Sequence, residues 1–208
     1  MTAHQPRHFS MIRNFHIADF FTLANGACGT AAIFLAMEHV REGLVDDVYG
    51  AALLILGAVV FDVLDGRIAR WRHMASPLGR ELDSLADVIS FGVAPACLAY
   101  AVGMSRPLDT IALLYFAACG ISRLARYNIA AEAVTAAGGT VKHFEGTPIP
   151  TSTVLVLLIA LLAWLGRIGP DLPLGTLRLG PCELHWLVLL FVVSGSLMIS
   201  KTLRIPKP

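Results

Sequence analysis

Six stretches of this chain are apolar over roughly the length of helix that crosses a lipid hydrocarbon core, and no other feature constrains the fold as strongly. A core about 30 Å thick takes about 20 residues of helix. The apolar stretches fall at residues 20–37, 48–68, 82–102, 110–129, 151–166 and 184–200, the fifth being the shortest. Of the 208 residues, 56% are hydrophobic and 15% charged, where a soluble domain carries about 25% charged residues. The mean hydropathy is +0.67. The chain therefore reads as an all-α integral membrane protein of six transmembrane helices. It has a cytoplasmic segment over residues 1–19, one compact membrane domain over 20–200 and a cytoplasmic tail over 201–208.

The first 19 residues, MTAHQPRHFSMIRNFHIAD, are polar and basic and hold no apolar core followed by a small-residue cleavage site. The first span is therefore expected to stay rather than to be removed as a signal peptide. Cytoplasmic loops carry the excess of Lys and Arg. Those residues alternate along the chain: Arg7 and Arg13 before the first span, Arg41 alone after it, then Arg70, Arg72 and Arg80 after the second. Arg106 alone follows the third, Arg123, Arg126 and Lys142 belong to the fourth region, Arg167 and Arg178 to the fifth loop, and Lys201, Arg204 and Lys207 to the tail. Both termini are expected in the cytoplasm. The run AAEAVTAAGG after the fourth span is expected to be a mobile cytoplasmic loop, and Pro148 and Pro150 delay the next helix to about Thr151. Four cysteines without a CxxC pair, three of them within spans, read as buried thiols packing as small hydrophobes.

Against this background the stretch from Phe61 to Asp87, FDVLDGRIARWRHMASPLGRELDSLAD, carries four aspartates and four arginines. Asp62 and Asp65 are three apart and Asp83 and Asp87 four apart, so each pair lies on one face of its helix. Pro77 and Gly79 favour a turn that returns the third span antiparallel beside the second, bringing four carboxylates into one cleft at the cytosolic side. Ionised carboxylates at membrane depth are costly and repel one another unless cations join them. Oxygen ligands without His or Cys suit hard ions such as Mg²⁺, Mn²⁺ or Ca²⁺, and a two-metal site is suited to phosphate displacement. Gly66 and Ala69 leave backbone open to a bulky ligand, while Arg67, Arg70 and Arg80 are placed to neutralise phosphates. The plain alternative is a solvated helix end whose arginines fix topology only.

Asp62, Asp65, Gly66, Ala69, Arg70, Gly79, Asp83 and Asp87 satisfy D-x2-D-G-x2-A-R-x8-G-x3-D-x3-D, eight fixed positions in 26 residues. This resembles the signature of the CDP-alcohol phosphatidyltransferase family, whose members have six transmembrane helices with the motif across spans two and three. The resemblance implies that the four aspartates hold two divalent metals, Mg²⁺ or Mn²⁺. It further implies that these bind the pyrophosphate of a CDP-linked lipid, with Gly66, Ala69, Arg70 and Gly79 around the nucleotide. DSLADVISFGVAPA (Asp83–Ala96), SRLARYN (Ser122–Asn128), GTPIP (Gly146–Pro150) and FTLANGACG (Phe21–Gly29) look like segments of bacterial and archaeal phosphatidylserine synthases.

By that likeness the substrates are CDP-diacylglycerol and L-serine. Thr22 and Asn25 lie near the nucleotide, Arg123 and Arg126 serve a phosphate or the serine carboxylate, and Asp87 is the base as well as a metal ligand. The resemblance also implies a homodimer among membrane lipids; no nucleic-acid partner is expected. Plainer readings stand beside these: Thr22 and Asn25 as helix-packing polars, Arg123 and Arg126 as topology signals, Ser84 and Ser90 as interface residues, and His73, His143 and His185 as loop or interface residues. A same-family enzyme using glycerol 3-phosphate or an inositol phosphate, and a cation-coupled transporter, are the rival functions.

Overall fold

The computed structural model describes residues 17–71, 77–136, 143–179, 182–200 and 204–206. Helices α1 (Ile17–Glu42) and α2 (Val45–Trp71) are joined by a two-residue link and pack along each other. The Gly43 N–H closes α1 on His39 O at 2.8 Å, and His39 Nδ1 meets Leu44 O at 2.7 Å. Asp46 and Asp47 occupy the first turn of α2, where free backbone N–H groups favour carboxylates. At this pairing Gly50 and Gly57 of α2 face Leu35 and Cys28 of α1, and the residues buried on the two helices are mostly small, Ala32 and Ala36 on α1 and Ala51, Ala52 and Ala58 on α2 beside Val48 and Ile55. Inside a bilayer, where burial of apolar surface gives little driving force between helices, small residues let backbones approach closely enough for dispersion to hold them.

Helix α3 (Pro77–Asp87), a π-helical segment (Val88–Val93) and α4 (Ala94–Ala101) run on as one rod. Helix α5 (Pro107–Ala136) opens with proline, whose missing N–H costs nothing in the first turn, and the Asp109 carboxylate accepts the Arg106 N–H at 3.2 Å. Asp109 is fully buried. It also accepts the backbone N–H of His185 at 2.8 Å and lies 2.6 Å from its ring Nδ1. One carboxylate thus fastens the hairpin of β2 (Thr176–Leu179) and β3 (Cys182–His185), antiparallel with Leu177 opposite Leu184, to the start of α5. Glu183 on the same hairpin pairs with Arg106 and Arg178. His185 is therefore an interface residue, as one reading of the sequence had it.

A 3-10 turn (Ile149–Ser152) leads into α6 (Thr153–Trp164), in keeping with the delay expected from Pro148 and Pro150. Another (Trp186–Val188) leads into α7 (Leu189–Ile199), which packs on α5 through the edge-to-face pair Phe116–Phe191 at 5.2 Å. Gly146 has a φ of +74° and abuts the end of α7; a Cβ there would lie 2.9 Å from Leu197 O and nearer still to Met198 O, so glycine is required. Strand β1 (His143–Glu145) pairs antiparallel with β4 (Arg204–Pro206), drawing the tail against the segment after α5.

Among the described residues, four helices are long and apolar enough to cross a membrane: Ala18–Glu42, Val45–Ile68, Leu78–Ala101 and Pro107–Ala131. Two further apolar helices, Ile149–Trp164 and Trp186–Ile199, are shorter. All six coincide with the expected segments. The run expected as a mobile loop after the fourth span is corrected in part, because α5 continues as helix through Ala136. Ala and Glu are strong helix formers and carry the helix past the end of the apolar stretch. Phe91, Leu98, Phe116, Ile149, Val156, Phe191 and Met198 fill the core among the later helices, while Phe34, Leu53, Leu114, Leu161 and Val193 are exposed on the outside. All four cysteines are free, with Cys119 buried.

Candidate active site

Asp62 and Asp65 lie on α2 near its end, and Asp83 and Asp87 on the last turns of α3. The third span stands beside the second, as expected, touching it through the π-helical segment and α4, whereas α3 itself rests principally on α1, which also lies along α2. The cause is local. Gly26 faces Ala86, and Gly29 faces Ser90 so closely that a Cβ on it would sit 2.6 Å from Ser90 Cα and 2.9 Å from Ser90 N. Helix α1 is thus the wall against which both acidic helices stand, and their carboxylates meet beside it.

One oxygen from each of Asp62, Asp83 and Asp87 falls within 4.8 Å of the others. Oxygens bound to a common Mg²⁺ or Ca²⁺ stand about 2.0–2.6 Å from the ion, so they are separated by no more than about twice that, and the trio meets the requirement. Asp87 is 7% exposed, and Asp83 Oδ1 is buried with no hydrogen-bond partner. A buried acceptor without a donor calls for an ion or a water. The donor set is carboxylate throughout, which suits hard divalent cations. These residues fit Mg²⁺ or Mn²⁺.

Asp65 stands outside that trio. It is buried, its Oδ2 accepts the Thr22 hydroxyl at 2.7 Å, and it is within electrostatic reach of Asp83. Asn25, with no exposed surface, donates from Nδ2 to Asp87 Oδ1 at 3.0 Å. The two α1 residues expected near the nucleotide are thus turned onto the acidic groups. The Ser90 hydroxyl donates to Asn25 O at 2.9 Å, and Ser84 is bonded to Asn128, whose Nδ2 also reaches Glu81.

The two arginines of α5 part company. Arg123 is 7% exposed, its guanidinium is within electrostatic reach of Asp87, and its Nε is buried without a partner. Arg126 is exposed and donates to Ser122 O and to Ile199 O at the end of α7, both at 3.4 Å. Gly66 follows Asp65 on α2 and is half-buried, and Gly79 lies in the first turn of α3. Ala69 and Arg70 are in the last turns of α2, with side chains outside the described part, as is that of His143; His73 lies outside the described residues altogether.

Two polar residues at this site were not singled out in the sequence. Asp19, 4% exposed, is within electrostatic reach of Asp65. With Thr22 and Asn25 it forms a row at three-residue spacing, which is the signal that marks it. Asn128 ends the SRLARYN segment, and nothing in its spacing announces the contact with Ser84. The π-helical segment has no periodic signature either.

The sequence profile of the CDP-alcohol phosphatidyltransferase family matches residues 15–194. The chain belongs to that family. It is 43% identical over 204 residues to a CDP-diacylglycerol–serine O-phosphatidyltransferase of Saccharomyces cerevisiae, covering 97% of this chain and 74% of that protein. It is 31% identical over 175 residues to the Bacillus subtilis protein of the same name, covering 83% of this chain and 86% of the other. A Mycobacterium leprae protein, again of that name, is 38% identical over 142 residues, 67% of this chain; there the match spans about half of the longer relative, 45% of its length.

Proposed function

We propose that this protein transfers the phosphatidyl group of CDP-diacylglycerol to the hydroxyl of L-serine, giving phosphatidylserine and CMP. The observation that carries the reading is the trio of Asp62, Asp83 and Asp87 oxygens, which stands within the complete family motif. The relatives named above, alike in name across yeast and bacteria, support serine as the acceptor.

In this reading the serine Oγ forms a bond to the lipid-linked phosphorus, and the bond from that phosphorus to the bridging oxygen of the pyrophosphate breaks. CMP departs with that oxygen, and the serine hydroxyl proton passes to Asp87. A neutral hydroxyl needs such a base. Asp62, Asp83 and Asp87 would hold the divalent ions, with Asp65 beside them. When bound, the ions supply positive charge against the pyrophosphate and the departing nucleotide. Arg123, buried beside Asp87 with an uncommitted Nε, takes the acceptor's carboxylate and so brings its hydroxyl toward the base. Arg126 fastens α5 to α7. Gly66, Ala69, Arg70 and Gly79 line the path of the nucleotide.

The two shorter apolar helices complete a six-span bundle, multi-pass in the cell membrane. By the distribution of Lys and Arg the acidic cleft and both termini face the cytosol, where a bilayer-borne lipid and a water-soluble acceptor meet. Membership of the family supports a homodimer as the working form. The test is an acceptor panel: purified protein with CDP-diacylglycerol, Mn²⁺ and, in parallel, L-serine, glycerol 3-phosphate and inositol phosphate, products identified by mass. Phosphatidylserine as the dominant product is expected; a dominant phosphatidylglycerol phosphate or phosphatidylinositol phosphate would overturn the choice of serine.

A further inference from the structure

We propose that Asn25 is a positioning residue for Asp87, and that the π-helical segment exists to lock this pair. Asn25 makes two bonds across the α1–α3 contact. Its side-chain Nδ2 donates to Asp87 Oδ1 at 3.0 Å, and its backbone O receives the Ser90 hydroxyl at 2.9 Å. Asp87 is the last residue of α3 and Ser90 lies within the π-helical segment that follows at once. The change of helical register at this point, a feature found often at functional sites, thus lies between the two bonds. Gly29, one turn on from Asn25, admits the Ser90 backbone at a distance no side chain would allow.

The amide itself points to the role. Asn25 is wholly buried and its Oδ1 has no hydrogen-bond partner. A residue chosen for packing alone would be apolar here and leave no buried acceptor unsatisfied. The amide is explained by its donor end, which fixes one oxygen of Asp87 and so the direction in which that carboxylate faces Asp62 and Asp83. Partners that orient metal-binding carboxylates in this way typically affect metal affinity or activity by about 10–100-fold when removed.

The inference rests on Asp87 acting at the reacting centre, and the experiment separates the two. Mn²⁺ affinity is measured on detergent-purified protein, without acceptor, for the parent, Asn25→Leu, Asp87→Asn and the double variant; turnover is measured alongside. Asn25→Leu is expected to weaken Mn²⁺ binding by about 10-fold or more, with turnover falling in step. In the Asp87→Asn background it should change Mn²⁺ affinity by less than about twofold, because residues that act as one unit are not additive. Unchanged Mn²⁺ affinity in Asn25→Leu, or losses that multiply in the double variant, overturns the proposal. Should Asn25→Leu fail to fold, Ser90→Ala removes the second bond and leaves the Asn25 side chain in place. It should lower Mn²⁺ affinity by about threefold, again only when Asp87 is present, and no change there overturns the proposal equally. A parent that makes no phosphatidylserine while this Mn²⁺ pattern holds refutes serine as acceptor and supports the positioning.

Discussion

Replacing Asp87 by Asn separates the two roles proposed for this side chain. The substitution keeps the size of a residue only 7% exposed, and an amide oxygen still accepts the bond that Asn25 Nδ2 now makes at 3.0 Å. Packing and the α1–α3 contact are therefore preserved. Two things are lost: the charge and the ion-facing oxygen that Asp87 lends the trio with Asp62 and Asp83, since the amide oxygen faces Asn25 and the NH2 faces the trio, and the proton acceptor. The first weakens metal binding and is made good by raising Mn²⁺ to saturation. The second is not. Removing a general base costs about 10²–10⁴-fold in rate, or about 3–5 kcal/mol of barrier at 1.36 kcal/mol per decade. Phosphatidylserine formation, extrapolated to saturating Mn²⁺ and followed by mass, should fall at least about a hundredfold. Binding of CDP-diacylglycerol at the same Mn²⁺ should stay within several-fold of the parent. Turnover within about tenfold of the parent, short of the range for a lost base, would show that Asp87 does not take the proton.

Three further outcomes follow from the same geometry. Chelation of divalent ions should abolish turnover and readdition of Mn²⁺ or Mg²⁺ restore it, while Asp62→Asn and Asp83→Asn stay inactive in folded protein; activity persisting in chelator would remove the ions from the account. Gly29→Ala puts a methyl into the backbone of Ser90 and should destabilise the protein by about 1–3 kcal/mol, seen as a lower thermal midpoint in detergent; an unchanged midpoint would mean that α1 and α3 shift apart at little cost. Asp109→Ala leaves the donors of Arg106 and His185 without their acceptor and should cost about 1–3 kcal/mol. The acidic cluster lies elsewhere, so turnover per folded molecule should stay within about twofold; a larger loss would mean that the hairpin bears on the site.

The sequence announced the site more fully than the fold. Asp62, Asp65, Asp83 and Asp87 were legible because acids are rare in apolar helices and their spacing puts each pair on one face. The packing that unites them was not legible. That α3 leans on α1 depends on Gly26 and Gly29 meeting Ala86 and Ser90, a match between surfaces 60 residues apart that no local pattern encodes. Thr22 and Asn25 stood out as polar residues in an apolar span, yet their partners, Asp65 and Asp87, lie on other helices. The π-helical turn at Val88–Val93 reads in sequence like any apolar stretch. Arg123 and Arg126 looked equivalent, and only the tertiary structure buries the first and sends the second to α7.

The central claim is a transfer of the phosphatidyl group with CMP as leaving group, and the fate of the lipid-linked phosphorus tests it most directly. Purified protein is given CDP-diacylglycerol labelled at that phosphorus, together with L-serine and Mn²⁺. The label is predicted to appear in phosphatidylserine, with one unlabelled CMP released for each molecule formed, and to stay in CDP-diacylglycerol when Asp83→Asn replaces the parent. Label recovered in a soluble nucleotide, or in phosphatidate irrespective of serine, would contradict the account.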